Sequence, residues 1–540
     1  MTYDYIIVGA GSAGCILAAR LSQSGRHSVL LLEAGGRDDA LRFRVPIGYV
    51  YTYYDSTANW MYYLQPEPAL GNRRIYCPRG KVQGGSGSIN ALIYVRGQKS
   101  DFDDWGASGN PGWSYEDILP YYRKLESHPL GNTEYHAADG PIRITPMRPH
   151  AHPICAAFLQ GCEGLGYRRN EDFNGASLEG VGIYDINTRD GLRDSSSRAY
   201  LHPALHRKQL TFETHCCVES VLFSQEARAQ AVRVRQQGVV REYRAAREVI
   251  LSAGAIDTPK LLQLSGIGDQ SLLRSHGIEV VRHAPAVGRN LQDHICASYY
   301  YRANRRTLND DLGSWIGKAR AAAQFTLRRR GPLALSVNQA GGFLRSSAAH
   351  TAPNIQLYFN PLSYEIPKGR GTALRPEPYS GFLLAFSACR PSSRGSVAIA
   401  SGDAADAPLI RPNFLSTQKD IDEVVEGSRL VRKLMQAPSL QAITVEETKP
   451  GGRVVSDADM LQYFREEAGS IYHPCGSCAM GPDPQSSVVS SRLKVHAVNG
   501  LRIVDASIFP NITSGNINAP TMMVAERAAD MILEDARGGS

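Results

Sequence analysis

Two side chains late in the chain have the makings of an acid–base site. His473 stands out among fourteen histidines because it follows Ile471-Tyr472 and precedes Pro474-Cys475-Gly476. That context places it on a turn, where an imidazole can be held at a cleft rather than on a helix face. A neutral imidazole near pH 7 can take the proton of a hydroxyl group as that group reacts. A lone histidine also has an ordinary structural reading as a packed core residue. Asn516, in the run Asn516-Ile517-Asn518-Ala519-Pro520, can donate to a substrate oxygen and orient it. Asn518 could instead point inward, with Asn516 shaping the turn, and both could simply cap the following helix.

Such a pair needs a scaffold that holds a ligand beside it, and the start of the chain supplies one. Residues 3–8 read as a strand, Gly9-Ala10-Gly11-Ser12-Ala13-Gly14 as a glycine turn, the next stretch as an Ala/Leu-rich helix, and 28–33 as a second strand ending in Glu33. The glycines let backbone amides approach a pyrophosphate at the positive end of the helix, and Glu33 can accept from a ribose diol. By itself this fits any ADP-containing cofactor, NAD as well as FAD. A second glycine-rich element, Arg79-Gly80-Lys81-Val82-Gln83-Gly84-Gly85-Ser86-Gly87-Ser88-Ile89-Asn90, suggests another close backbone approach to a large ligand. A third candidate is the helix start around Pro520, which offers free amides to an anionic group.

Composition narrows the classes. With 43% apolar and 21% charged residues the 540-residue chain reads as a globular protein with a sizeable core. The +7 charge is dispersed, with no dense basic block interleaved with aromatics, so nucleic acid is not an expected partner. The first strand begins at Tyr3 and no apolar run is long enough to span a membrane, so a cytoplasmic location is expected. Ten cysteines, including Cys216-Cys217, do not form a secreted-type framework. The C-x-x-C pair Cys475 and Cys478 reads as packed thiols, and no metal site is expected. Residues 314–330 mix Trp315, Ile316, Phe325 and Leu327 with Lys318, Arg320 and Arg328-Arg329-Arg330. They read either as a surface helix with a solvated basic face or as a peripheral contact to an anionic membrane.

Along the chain, 35–112 is dense in Gly, Pro, Tyr and Asn and reads as a long functional loop region. From about residue 210 the pattern is β-rich, and 248–255 reads as a buried strand leading to a helix that Pro259 can begin. Residues 297–445 lack nucleotide-type glycine loops and read as a separate module, with strands near 354–359 and 381–388 and a helix near 420–435. A strand over 500–507 and a helix to about residue 533 complete the pattern.

Taken together these motifs resemble the glucose-methanol-choline (GMC) oxidoreductase family, which binds FAD. Residues 80–90 look like its first signature, 254–268 match its second, and 287–294 and Tyr472-His473-Pro474 match further landmarks. The resemblance implies an α/β fold: a Rossmann-like FAD-binding domain with a parallel central sheet, plus a substrate domain with a largely antiparallel sheet flanked by helices. The expected limits are 1–296 for the FAD domain (35–112 covering the flavin), 297–445 for the substrate domain, and 446–540 returning to the FAD domain with the catalytic residues. By resemblance, His473 is the base and Asn516 its partner while a flavin accepts a hydride at N5. Gly9, Gly11, Ser12, Ala13 and Gly14 then cradle the pyrophosphate, with Glu33 and Ala34 at the adenosine ribose, and Trp60 and Val218 near adenine. Arg79, Val82, Gly85, Asn90, Ala91 and Leu92 are expected on the flavin side, and Ala253, Tyr472, Asp505, Ala506 and Asn518 complete the cofactor contacts.

Two departures from the first signature carry consequences. Gln83 replaces a usual aliphatic residue, and Ile89 stands where some members carry a histidine bonded to the flavin, which implies non-covalent FAD. Gln339 takes a place where choline-acting relatives tend to carry a glutamate, which argues against choline. The expected activity is oxidation of an aliphatic or aromatic primary alcohol to the aldehyde, with O2, a quinone or another acceptor taking the electrons. The alternatives are a lyase of hydroxynitrile lyase type on the same scaffold, a choline-type dehydrogenase, or a flavin-binding structural protein.

Overall fold

The computed structural model describes residues 1–365 and 374–538. Its first strand, Thr2–Val8, is buried along Tyr5-Ile6-Ile7-Val8, as a strand covered on both faces must be. It pairs in parallel with Val29–Leu32 on one side and with the end of Val239–Leu251 on the other. Leu210–Glu213 extends the sheet beyond Val29–Leu32. The 13-residue strand Val239–Leu251 serves two partners on its far side. Its first half pairs antiparallel with Ala229–Gln236, and its end pairs in parallel with Leu501–Ile503. The sheet is therefore Rossmann-like at its centre, with an antiparallel extension made by Ala229–Gln236 and Cys216–Phe223. Helix Ser12–Leu21 packs against the C-terminal helix Asn518–Gly538, and Arg20 pairs across that contact with Glu526 and Asp530.

In the second sheet every pairing is antiparallel, in the order Thr444–Lys449, Ile295–Ala303, Gly381–Ala388, Ile355–Asn360, Ala340–Leu344, Gly180–Ile183. Gly469–Ser470 adds a short pairing to Ile295–Ala303. Period-two alternation divides its residues. Cys296, Ser298, Tyr300, Tyr358, Asn360, Leu383 and Ala385 face a large cavity. Their neighbours turn to the helices: Phe359 stacks on Phe158 of Cys155–Gly164, and Phe386 lies against Gly427 of Gln418–Met435, where a Cβ would come within 2.3 Å of the ring.

Four expectations need correction. The domain limits do not follow the sheets, because Gly180–Ile183 comes from within 1–296, Thr444–Lys449 crosses the expected boundary at 446 and Gly469–Ser470 lies beyond it. Strand partners are non-local, and a four-residue glycine-containing strand carries no mark of the sheet it will join. The 35–112 region is mostly irregular but ends in a regular helix, Lys99–Ala107, closed by a Gln98/Asp101 capping box. Pro259 does not begin its helix. It is the sixth residue of Gly254–Leu264, and the carbonyl its missing N–H leaves free, Ala255 O, accepts a 2.5 Å bond from Ser477 Oγ. Finally, the last helix continues past 533 to Gly538, since its buried face carries on through Met531 and Ile532.

Candidate active site

The cavity between the two sheets measures about 1010 Å³. At one end lies the glycine turn after Thr2–Val8, at the C-terminal edge of the parallel strands where such sheets take ligands. Close approach is built in here. A Cβ on Gly9 would sit 2.6 Å from Ser252 O, and one on Gly85 would sit 2.7 Å from Gly11 Cα. Gly84 N donates to Ala10 O at 2.7 Å, so the two glycine-rich loops are bonded together. The start of the last helix joins them, with Ser12 Oγ donating to Asn518 Oδ1 at 2.7 Å. Glu33 is buried and accepts from Ala10 N and Gly35 N, each at 2.9 Å; burial outweighs these bonds and raises its pKa to about 7. Each of its oxygens keeps a second lone pair, so a ribose hydroxyl can still be accepted.

Among the expected site residues, Gly9, Gly11, Ser12, Ala13, Glu33, Ala34, Trp60 and Val218 line this end. Arg79, Gly85, Asn90, Ala91, Leu92, Ala253, Tyr472, His473, Asp505, Ala506, Asn516 and Asn518 also border the cavity. Gly14 and Val82 do not border it. Gly14 is used for packing: a Cβ there would lie 1.9 Å from Gly9 O. Val82 is buried in a small cluster with Phe43, Ala58 and Ile89, because Gly84 to Gly87, not Val82, make the close approach. Gln83 is fully buried in place of an aliphatic residue and donates Nε2 to Ser197 Oγ at 2.9 Å. Asp505 accepts from Gly254 N and Thr258 Oγ1 at 2.9 and 2.6 Å, tying the last strand to the helix start behind the cavity.

At the other end His473 and Asn516 meet: Asn516 Nδ2 lies 3.2 Å from His473 Nε2. The tautomer follows from the neighbours. His294 Nε2 lies 2.8 Å from Cys389 O, which can only accept, so His294 carries its proton there and leaves Nδ1 as an acceptor. His473 Nδ1, 3.0 Å away, must then donate to His294, which leaves Nε2 with a lone pair facing Asn516 and the cavity. Burial, His294 and Arg79 hold the His473 pKa well below 6.5, and burial brings His294 down to about 4, so both rings are neutral near pH 7. The backbone is fixed as well. Tyr472 has φ +70°, an uncommon conformation for an aromatic residue, and His473 N donates to Asp293 Oδ1 at 2.7 Å. Tyr472 O accepts from Arg79 Nη1 at 3.1 Å. The Asn516 amide is oriented by Gln356, whose Nε2 lies 3.4 Å from Asn516 Oδ1, while Tyr358 donates to Gln356 Oε1 at 2.6 Å. Asn518 is committed to Ser12, so of the two asparagines it is Asn516 that stands beside the histidine.

The sequence reading missed several of these residues. Asp293 and His294 lie in the 287–294 motif, which served there only as a landmark. Gln356 and Tyr358 sit in a strand whose alternation could have flagged them. Arg193 is buried, donates to Asn90 Oδ1 and O at 2.5 and 2.7 Å, and has no carboxylate partner among the described residues. Burial lowers its pKa to about 10, so it stays a cation beside the loop at Asn90. Glycine-lined loops, a free helix start and this unpaired cation suit a long ligand with an anionic middle, which FAD is. Gln339, in contrast, does not reach the cavity. Its Oε1 accepts from His152 N at 2.6 Å, so the argument it offered against choline falls away.

Comparison with known proteins agrees with this geometry. A family model described as GMC oxidoreductase matches residues 3–296, and its C-terminal counterpart matches 391–525. The oxygen-dependent choline dehydrogenase of Vibrio vulnificus (strain YJ016) is 40% identical over 534 residues, 98% of this chain and 94% of that protein. An alcohol dehydrogenase (acceptor) of Pseudomonas putida is 38% identical over 535 residues, 98% of this chain and 96% of that protein. Among solved structures, pyridoxine 4-oxidase from Mesorbium loti aligns with TM-score 0.88 and 29% identity, covering 98% of this chain and 99% of that one.

Proposed function

The chain belongs to the GMC oxidoreductase family, FAD-dependent oxidoreductases, and on that premise we propose that it oxidises a primary alcohol, aliphatic or aromatic, to its aldehyde. The observation that carries this reading is the neutral His473 Nε2, held 3.2 Å from Asn516 Nδ2 at the cavity wall. His473 takes the hydroxyl proton at Nε2 and Asn516 orients the substrate oxygen. His294 keeps the second ring nitrogen of the base protonated throughout. When bound, FAD supplies the two-electron acceptor. Gly9, Gly11, Ser12 and Ala13, with Gly85 and Ser86 of the second glycine-rich loop, would hold its diphosphate, and the amides at the start of the last helix, with Arg193 behind Asn90, would favour negative charge on it. Ile89 lines the cavity where a covalent link would need a histidine, which supports non-covalent binding. The electrons pass on to O2, a quinone or another acceptor.

Choline is itself a primary alcohol and is a specific second reading. Relatives named choline dehydrogenase support it, and so do Tyr53, Tyr300, Tyr358 and Tyr364 in the cavity wall, since tyrosine faces attract a quaternary ammonium. The test is anaerobic bleaching of the flavin by aliphatic, benzylic and furanic alcohols and by choline. One class should bleach it rapidly, and His473→Ala should slow that by about 100-fold or more while FAD stays bound. The reading fails if no alcohol reduces the flavin, as a lyase would behave, or if His473→Ala reacts at the wild-type rate.

A further inference from the structure

Helix Trp315–Arg328 turns its apolar residues the wrong way for an ordinary surface helix. Ala321 and Phe325 are buried on one side of it, Ala321 against Ile47, Tyr49, Leu308, Leu312 and Val337. At 3.6 residues per turn, Ile316, Ala319, Ala323 and Leu327 fall within about 80° on the opposite side. Ile316 is 62% exposed and Leu327 82%, and Trp315 beside them is 79% exposed. Two more exposed apolar residues, Leu41 and Tyr51, belong to the stretch whose Ile47 and Tyr49 pack beneath this helix.

The charges around this stripe are of one sign. Residues 315–330 contain no acid. Lys318, Arg320, Arg328 and Arg330 are exposed and form no ion pair among the described residues, while Arg329 lies 5.1 Å over the Phe325 ring. The acids just before the helix are occupied, Asp310 by Thr307 N and Ser380 Oγ, and Asp311 by Arg306. An exposed apolar stripe with a tryptophan at one end and unpaired cations along it complements a surface with apolar depth and negative charge. A second copy on a two-fold axis would set these cations against one another, which disfavours a dimer through this face.

We propose that the protein docks on anionic lipid bilayers through this face, with Trp315, Ile316 and Leu327 entering the interface and Lys318, Arg320 and Arg328 to Arg330 meeting the headgroups. Tyr49 and Val337 belong both to the packing beneath the helix and to the cavity wall, so docking brings the cavity beside the lipid phase. This placement stands whether or not the alcohol reading holds.

The experiment is co-sedimentation of the FAD-loaded full chain with vesicles of phosphatidylcholine alone and of phosphatidylcholine with phosphatidylglycerol. The protein should pellet with the anionic vesicles and be released by salt. Replacing Arg328, Arg329 and Arg330 together with Gln should weaken binding by about 100-fold. The triple variant Trp315→Ser, Ile316→Ser, Leu327→Ser should lose binding at any salt concentration. Lipids brominated in the acyl chain should quench wild-type tryptophan fluorescence but not that of Trp315→Phe, since Trp105 and Trp113 are buried and Trp60 is half-buried in the cavity wall, stacked on Tyr62. All these positions lie outside the catalytic machinery, so turnover with a soluble acceptor serves as the folding control. The proposal is overturned if anionic and neutral vesicles bind alike, if neither variant changes binding, or if the face mediates only self-association or capture of an acidic protein.

Discussion

Replacing His294 with Phe tests whether the tautomer of the base is fixed from behind. The substitution keeps a buried ring of similar size but removes the acceptor for His473 Nδ1–H and the donor to Cys389 O. Each stranded buried group costs about 1–3 kcal/mol. His473 can escape its share by moving the proton to Nε2, where it faces the Asn516 amide and can no longer act as a base. The reactive tautomer is then disfavoured by that same energy, so flavin reduction at saturating alcohol should slow by roughly 5- to 150-fold. KM should change little, because His294 does not border the cavity. His294→Gln can still accept from one side and donate to the other, and should recover most of the rate. Stopped-flow reduction, with the FAD-to-protein ratio checked in each variant, measures this. The reasoning is wrong if the Phe variant reduces its flavin within twofold of wild type. It is also wrong if Gln and Phe are equally slow in proteins that hold FAD equally well.

Three further outcomes follow from the described contacts. His136 is desolvated, yet its bonds to Asp172 and Glu126 at 2.9 and 2.7 Å prevail and raise its pKa to about 9. Its stabilisation is fully present below pH 6.5 and is lost as pH rises through 9, so the gap in thermal midpoint between wild type and His136→Gln should close between pH 6.5 and 10. Ser477→Ala leaves the Ala255 carbonyl without the bond that replaces the missing Pro259 N–H, and should cost about 1–3 kcal/mol by denaturant unfolding. Gly14→Ala drives a methyl to 1.9 Å from Gly9 O, so the variant should purify without FAD or fail to fold, as read from the flavin absorbance of the purified protein.

The first βαβ unit was legible because its signals are local: a buried apolar run, glycines where no Cβ fits, and an acid at a fixed distance. His473 was legible by its turn and its family motif, but the partner that sets its tautomer was not. His294 lies 179 positions away in sequence, and nothing in Gln292-Asp293-His294 says which ring it will meet. The choice between Asn516 and Asn518 turned on one bond, from Ser12 to Asn518, that only the closed fold reveals. Gln339 misled because its place just before the strand Ala340–Leu344 does not say which way its side chain turns. The domain limits failed for the same reason, since the second sheet is assembled from strands about 290 positions apart (Gly180–Ile183 and Gly469–Ser470).

That interleaving bears on how the molecule is made. The parallel sheet gains Leu501–Ile503 only after both halves of the second sheet exist, and helix Ser12–Leu21 meets its packing partner only once Asn518–Gly538 has been synthesised. A nascent chain that has not reached residue 500 holds the glycine turn but lacks Asp505, Asn516 and the helix that closes over Ser12. The usual order, in which domains fold as units with the N-terminal one first, is therefore closed to this chain. Its cofactor pocket is completed only once residues 501–538 have been made, and the glycine turn waits for them, exposed to proteases and chaperones.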